Sequence, residues 1–196
     1  MSEKLNGILE AARLHAEEVI IPHVDDWNIA KTWPRAASDK AGAAGLMGLY
    51  APEAFGGQGL PLSEGIQVYE QLGLGDGAYA FALSMHNICT FAACGYGTEA
   101  FKDLWGMELT SGRKLANFAL TEPQSGSDPM KMYTRATINE DGTWTINGAK
   151  AWVSLATEAD VHFTVVKTSD VPGHKDMAMI AIPADASGVS FGPIYD

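Results

Sequence analysis

The chain has 196 residues, room for one ordinary domain or two small ones and for a substantial buried core. Hydrophobic residues make up 46% and charged residues 19%, which argues against compositional disorder and against a set of membrane spans. The formal net charge is −11, with acidic residues in excess on both sides of Arg113, and this argues against a nucleic-acid or acidic-membrane binder working by counterion release.

The first eighteen residues, MSEKLNGILEAARLHAEE, hold several glutamates and no continuous apolar stretch. They therefore read as neither a secretory signal nor a transit peptide. Leu5, Ile8, Leu9, Ala12, Ala16 and Val19 recur at helical spacing, with Ser2 as the expected N-cap and Pro22 just past the end. A second helix is expected from Pro34 to about Leu46, followed by a loop over YAPEAFGGQGLP. Ser63 is expected to cap a helix presenting Ile66, Tyr69 and Leu72. The span from Ala78 to Ala93 is apolar nearly all round, which predicts a central bundle helix. Thr98 is expected to cap another, with Phe101, Leu104 and Trp105 facing in.

After Ser111-Gly112 the pattern shortens and becomes β-rich. Expected strands are Lys114–Leu120, Tyr133–Ile138, Thr143–Asn147, Val161–Lys167, Met177–Ile182 and a short Val189–Phe191, with Asp141-Gly142 and Asn147-Gly148 as turns. The fold class is α+β: an all-helical domain over 1–113, then a small antiparallel β domain, an incomplete barrel, over 114–196.

Cys89 and Cys94 show no CxxC spacing, so the expectation is a cytoplasmic protein with reduced thiols. The five histidines, His15, His23, His86, His162 and His174, lack metal-ligand spacing. His86, inside an apolar helix, reads as a satisfied core or pocket-edge group, with a polar group near a bound acyl chain as the alternative. Gly73-Leu74-Gly75-Asp76-Gly77-Ala78 matches a dinucleotide fingerprint in letters only, because a helix and not a strand precedes it.

The informative stretch is FALTEPQSGSDPMKMYT, residues 118–134, where an apolar strand runs into a turn dense in hydroxyl groups. Such a turn can present backbone N–H groups and short hydroxyls to an oxygen-rich ligand. By turn composition alone a plain hairpin loop is the favoured reading, and the second segment shifts the balance. The second segment, 145–168, places Trp152, Val153 and Ser154 at the end of a strand. An aromatic plane with two sets of donors is what a planar redox ring carrying a diphosphate tail needs.

At these residues the chain resembles the acyl-CoA dehydrogenase family. Thr121-Glu122-Pro123 through Gly126-Ser127-Asp128 resembles the family's TEP-x-x-GSD motif. Ile146-Asn147-Gly148-x-Lys150-x-Trp152 resembles its ING-x-K-x-W motif, and YAPEAFGGQGL and SMHN extend the likeness into the helical part. The resemblance implies FAD as cofactor. Phe118, Ala119, Leu120 and Thr121 would line the flavin ring, the Leu120 amide and the Thr121 hydroxyl donating to its pyrimidine edge. Ser127 would lie at the FAD diphosphate and near the acyl-CoA substrate, so it counts as both cofactor- and substrate-binding. Trp152 would pack against the isoalloxazine, with Val153 and Ser154 near N5. Ser154 stands where the family often has Thr and keeps the hydroxyl.

The implied reaction removes the α-proton of an acyl-CoA thioester and passes the β-hydrogen to the flavin, giving a trans-2-enoyl-CoA. An electron-transfer flavoprotein is the implied acceptor, and a homo- or hetero-oligomer with a complementing C-terminal chain is expected. No glutamate here matches the family's catalytic base, which lies in its C-terminal domain. Glu122 is expected to be structural and Glu158 solvated. The chain is thus expected to be the N-terminal part, or one subunit, of a longer or split dehydrogenase, or else a shortened product that cannot catalyse alone. The alternatives are a flavin-dependent oxidase or monooxygenase of the same fold, or a non-catalytic subunit of a heteromer.

Overall fold

A computed structural model describes residues 2–169 and 176–193. The chain divides into two compact units between Ala116 and Asn117. Among the described residues no helix is long and apolar enough to cross a membrane.

The first unit is helical. Helix α1, Glu3–His15, starts at Ser2, whose Oγ accepts from the Leu5 amide at 3.2 Å, and buries Leu5, Ile8 and Ala12. The helix then widens into a π-helical turn over Ala16–Ile20, closed by the Ile21 amide donating to the Ala16 carbonyl at 2.9 Å. The wider turn keeps both Ala16 and Ile20 in the core. Pro22 follows it, and a short helix that the apolar pattern does not announce, α2 over Val24–Ala30, comes next. Helix α3 covers Arg35–Ala43, and the loop after it contains one 3-10 turn, Glu53–Phe55.

Helix α4, Leu62–Gly73, corrects two expectations. Its N-cap is Pro61, so Ser63 lies inside the first turn, and Ile66 is 61% exposed. The inward residues are Gly65, Val68 and Leu72. A Cβ at Gly65 would meet the Tyr50 ring at 2.3 Å, so this face is chosen by a residue able to accept an aromatic ring against its backbone. The Gly73–Gly75 stretch is an interhelical turn ending at Asp76, whose carboxylate caps helix α5 through the Tyr79 amide at 2.6 Å.

Helix α5, Gly77–Tyr96, buries Leu83, His86, Asn87, Cys89, Thr90 and Cys94, and both cysteines are unpaired thiols. Its opposite side is not core as expected: Phe81 is 56% exposed, and Ile88 and Phe91 are exposed as well. The polar residues on the inner side act as pins. Asn87 accepts from the Leu49 amide at 2.8 Å and donates to the Leu46 and Leu83 carbonyls, which fixes the path into the glycine-rich loop. His86 Nδ1 accepts from the Ala116 amide at 3.1 Å and Nε2 faces the Leu109 carbonyl at 3.0 Å, so the neutral Nε2–H tautomer fits. Helix α6, Glu99–Thr110, starts at the Thr98 cap. Gly106, Leu109 and Thr110 face in, whereas Leu104, expected inside, is exposed.

The second unit holds a five-stranded sheet. Strands β1, Ala116–Ala119, β2, Arg135–Ile138, and β3, Trp144–Asn147, are joined by β4, Val161–Lys167, and β5, Met177–Pro183. The order is β1-β4-β2-β3, with β5 also pairing β4. The β2–β3 and β4–β5 pairs are antiparallel, but β2 meets β4 in parallel at Arg135 and Lys167. The sheet is therefore mixed, which corrects the antiparallel expectation. The crossover between β2 and β4 encloses β3, and that connection is what permits a parallel pair. Val189–Phe191 is not a strand. Turn bonds from Ala186 to Pro183 and from Val189 to Ala186 occupy the chain there instead. His174 lies outside the described residues.

Candidate functional site

The end of β1 leads through Leu120 and Thr121 into a tight turn. Glu122 and Ser125 exchange both backbone hydrogen bonds, at 2.8 and 3.0 Å, with Pro123 and Gln124 at the tip. The Ser125 hydroxyl donates to the Asp128 carbonyl at 2.8 Å, and the Asp128 carboxylate caps the following 3-10 turn, Pro129–Lys131, through the Met130 amide. This local bonding closes the loop on itself and leaves Gly126 and Ser127 exposed. Gly126 lies beside Thr121, its Cβ position 4.0 Å from Thr121 Cγ2.

Glu122 is the keystone of the turn. Its side chain is 2% exposed, and its carboxylate takes four donors. Oε1 accepts from Lys150 Nζ and from the Thr134 amide, both at 2.9 Å, and Oε2 accepts from the Tyr133 amide and Gln124 Nε2, both at 2.6 Å. Burial alone would raise this carboxyl's pKa. The polar groups of Thr134, the Tyr133 amide and the Lys150 ammonium overcome that and bring it down to about 2. Lys150 also donates to the Leu120 carbonyl at 3.0 Å. Its own pKa is lowered because burial outweighs the help from Glu122, so the balance of the pair favours the carboxylate's charge more than the ammonium's.

The same contacts carry the second segment onto the first. The Ala151 amide donates to the Thr121 carbonyl at 2.8 Å, directly beside the Lys150–Leu120 bond. Gly148 allows the approach: at φ 154°, a Cβ there would sit 2.3 Å from Thr134 Oγ1. The next residue out, Trp152, has φ 59° and is 69% exposed. Left-handed backbone at a bulky residue costs on the order of 1–3 kcal/mol and persists only where the surroundings impose it. Here the two bonds just before it supply the constraint. Leu155 repeats the conformation at φ 58°.

A third connection comes from Asn117, fully buried on β1. Nδ2 donates to the Leu155 carbonyl at 3.3 Å, and Oδ1 lies 3.0 Å from His162 Nδ1 on β4. One side chain thus ties β1, the turn after Trp152 and β4 together.

Within this unit the residues singled out from sequence fall as follows. Ala119 is buried, Phe118, Leu120, Thr121, Val153 and Ser154 are half-buried, and Ser127 and Trp152 are exposed. The Lys150 side-chain bond to Leu120 and the Ala151 backbone bond to Thr121 bring 120–121 and 150–151 side by side, while Ser127 joins them only through the neighbouring Gly126. Glu158 is exposed, and Glu122 is structural. Sequence reasoning missed the Asn117 pin and named no partner for Glu122. The available signal was polar Asn117 and His162 inside otherwise apolar strand patterns, where buried polar groups need partners.

Comparison with known proteins gives a consistent result. The family model described as acyl-CoA dehydrogenase, N-terminal domain, matches residues 2–113, and that described as acyl-CoA dehydrogenase, middle domain, matches 117–196. The chain is 32% identical over 177 residues to a mitochondrial isobutyryl-CoA dehydrogenase of Dictyostelium discoideum, covering 90% of this chain and 42% of that protein. It superposes on butyryl-CoA dehydrogenase from Megasphaera elsdenii with a TM-score of 0.91 and 28% identity, covering 100% of this chain and 52% of the other. For a glutaryl-CoA dehydrogenase from Mycobacterium smegmatis in complex with FADH2 the TM-score is 0.89 and the identity 26%, with 100% and 49% covered. The chain thus spans about half the length of the relatives it matches.

Proposed function

Since the chain belongs to the acyl-CoA dehydrogenase family, we propose that it is the flavin-holding part of a cytoplasmic FAD-dependent acyl-CoA dehydrogenase. In this reading it is the N-terminal portion, or one subunit, of an enzyme that converts an acyl-CoA thioester to a trans-2-enoyl-CoA. An electron-transfer flavoprotein would take the electrons, and an oligomer would complete the site. The supporting observation is the clamp of Glu122 and Lys150, which sets the hydroxyl-rich turn against an exposed indole held in a strained backbone.

The residues present fit FAD. Trp152, 69% exposed, suits a flat heteroaromatic ring, and the half-buried Thr121 and Ser154 and exposed Ser127 supply hydroxyls near it. When bound, FAD would supply the hydride-accepting ring. Phe118, Ala119, Leu120 and Thr121 would line that ring, the Thr121 hydroxyl and the Leu120 amide facing the edge where negative charge gathers on reduction. Fixed donors at such an edge stabilise charge as it develops. Trp152 would pack against the ring, with Val153 and Ser154 near its N5, and Ser127 would sit at the diphosphate and near the acyl-CoA. Against burial, which raises the value, the polar groups of Thr134, the Tyr133 amide and the Lys150 ammonium make Glu122 a poor base, since a carboxyl held near 2 has little affinity for a proton at neutral pH. The base is therefore assigned to sequence beyond these residues or to a partner chain.

Titration of the full chain with FAD, read by quenching of flavin fluorescence, tests the reading. Trp152→Ala and Thr121→Ala should weaken binding about tenfold or more. Unchanged affinity and spectrum in both variants would overturn the flavin assignment. Adding a chain that carries the remaining half of a relative should restore thioester oxidation, and rapid reoxidation by air with peroxide release would place the protein with the oxidases of this fold instead.

A further inference from the structure

The chain holds two Asn-Gly steps, Asn6-Gly7 and Asn147-Gly148, and all four residues are exposed. At such a step a chain attacks its own side chain most readily, because no Cβ shields the amide nitrogen that follows the asparagine. The two steps differ in what holds that amide. Gly7 lies inside α1, where the Asn6 amide donates to the Ser2 carbonyl at 3.1 Å and the helical ladder continues through Gly7. Asn147 is the last residue of β3, and neither its carboxamide nor the Gly148 amide has a hydrogen bond among the described residues.

The strand itself is easily opened. It is four residues long, stands at one end of the strand order and pairs only with β2 among the described residues. Local opening costs least in such short, exposed elements, and once Asn147 leaves its partner Arg135 the Gly148 nitrogen can reach Asn147 Cγ. The sequel to Asn147 makes the product matter. Lys150 holds Glu122 Oε1 at 2.9 Å and the Leu120 carbonyl at 3.0 Å, and the Ala151 amide holds the Thr121 carbonyl at 2.8 Å. Slack cannot be taken up at Gly148, whose Cβ position lies 2.3 Å from Thr134 Oγ1 and 2.6 Å from Thr134 Cα.

We propose that Asn147-Gly148 is a self-modification site whose product disconnects the second segment from the Glu122 turn. The Gly148 nitrogen, giving its proton to solvent base, attacks Asn147 Cγ. The new N–Cγ bond closes a succinimide ring, and the side-chain nitrogen leaves as ammonia. Water then opens the ring at either carbonyl, and no oxidant or reductant takes part. Cleavage of the N–Cγ bond gives an ordinary aspartate. Cleavage between the nitrogen and the main-chain carbonyl carbon gives an isoaspartate, in which the main chain runs through Cβ and Cγ. That route adds about 1.5 Å of path, enough to carry a 2.8 Å hydrogen bond past its limit.

Ageing of the full folded chain in mildly alkaline buffer, followed by peptide mass mapping, tests the site. Asn147 should convert at least about tenfold faster than Asn6, and the gap should close in urea, where neither step is held. The isoaspartyl fraction, identified by its acceptance of methyl groups from S-adenosylmethionine with an isoaspartyl methyltransferase, should exchange the Ala151 amide for deuterium at least about tenfold faster than the parent. Freshly made Asn147→Asp carries the charge without the extra carbon and should keep the parent's exchange. Asn147→Gln should stay unmodified, and its exposed position leaves the fold intact. Equal conversion of Asn6 and Asn147 in the folded protein would overturn the proposal. So would parent-like Ala151 exchange in the isoaspartyl fraction, or an equal loss of protection in Asn147→Asp. Every readout is made without flavin, so these failures leave the flavin reading standing.

Discussion

Replacing Glu122 by Gln keeps the shape of the turn and removes its charge. The carboxylate is 2% exposed and faces Lys150, 9% exposed, so the substitution strands an ammonium in a buried site. A carboxyl held at about 2 instead of the usual 4.5 corresponds to about 3 kcal/mol. Removal of one partner from a buried pair also costs about 3–5 kcal/mol, so the two routes agree. Urea unfolding of the full chain at pH 7 should show a loss of this size for Glu122→Gln. Lys150→Met should cost less, because the carboxylate keeps the Tyr133 and Thr134 amides and Gln124. The sign of the pH dependence follows from the lowered folded-state value. The stabilisation is complete above about 4.5 and is lost as pH falls towards 2, a limb that the Gln variant should lack. A Glu122→Gln protein within about 0.5 kcal/mol of the parent, or one with the same acid limb, would refute the clamp.

Three further outcomes are expected. Trp152→Gly places a permissive residue at φ 59°, so stability should change by less than about 1 kcal/mol while flavin affinity falls about tenfold; a large loss of stability would mean that the indole is structural. Burial lowers the His86 pKa from 6.5 to about 4, and His15 behaves alike, so the unfolded chain takes up protons first as pH drops. Stability of the helical unit should decline from about pH 6.5 to 4 and then level, and His86→Gln should flatten part of that slope in urea midpoints taken across the range. Asn117→Ala leaves His162 Nδ1 and the Leu155 carbonyl without their partner and should cost about 1–3 kcal/mol in the same assay, a neutral result counting against the pin.

What the sequence discloses depends on how local the deciding contact is. Val161–Lys167 was readable as a strand because a short run rich in β-branched and aromatic residues carries its preference in its own composition, and β4 has those bounds. The parallel meeting of β2 and β4 was not readable, since it rests on one pair of residues far apart in the chain. Ile66 and Leu104 fit an inward stripe by periodicity, yet the faces that packed were those with Gly65 and Gly106, because a neighbouring aromatic ring needed the room. The two segments of the candidate site were visible as motifs. Their juxtaposition was not, because Glu122 and Lys150 are separated by 28 residues and the left-handed turn at Trp152 has no glycine to announce it.

The two thiols on the inner side of α5 make this helix its own stopwatch. Cys89 is wholly buried and Cys94 nearly so, and burial pushes both thiols up, away from the reactive thiolate. An alkylating reagent can therefore label them only in molecules whose α5 has swung out or melted. With reagent in excess, the labelling rate reads the opening rate; with reagent sparse, it reads how often the helix stands open. Because the neighbouring Asn87 and His86 hold the loop after Leu46 and the lead-in to β1, mass-resolved labelling would time the release of the framework that these two pins share.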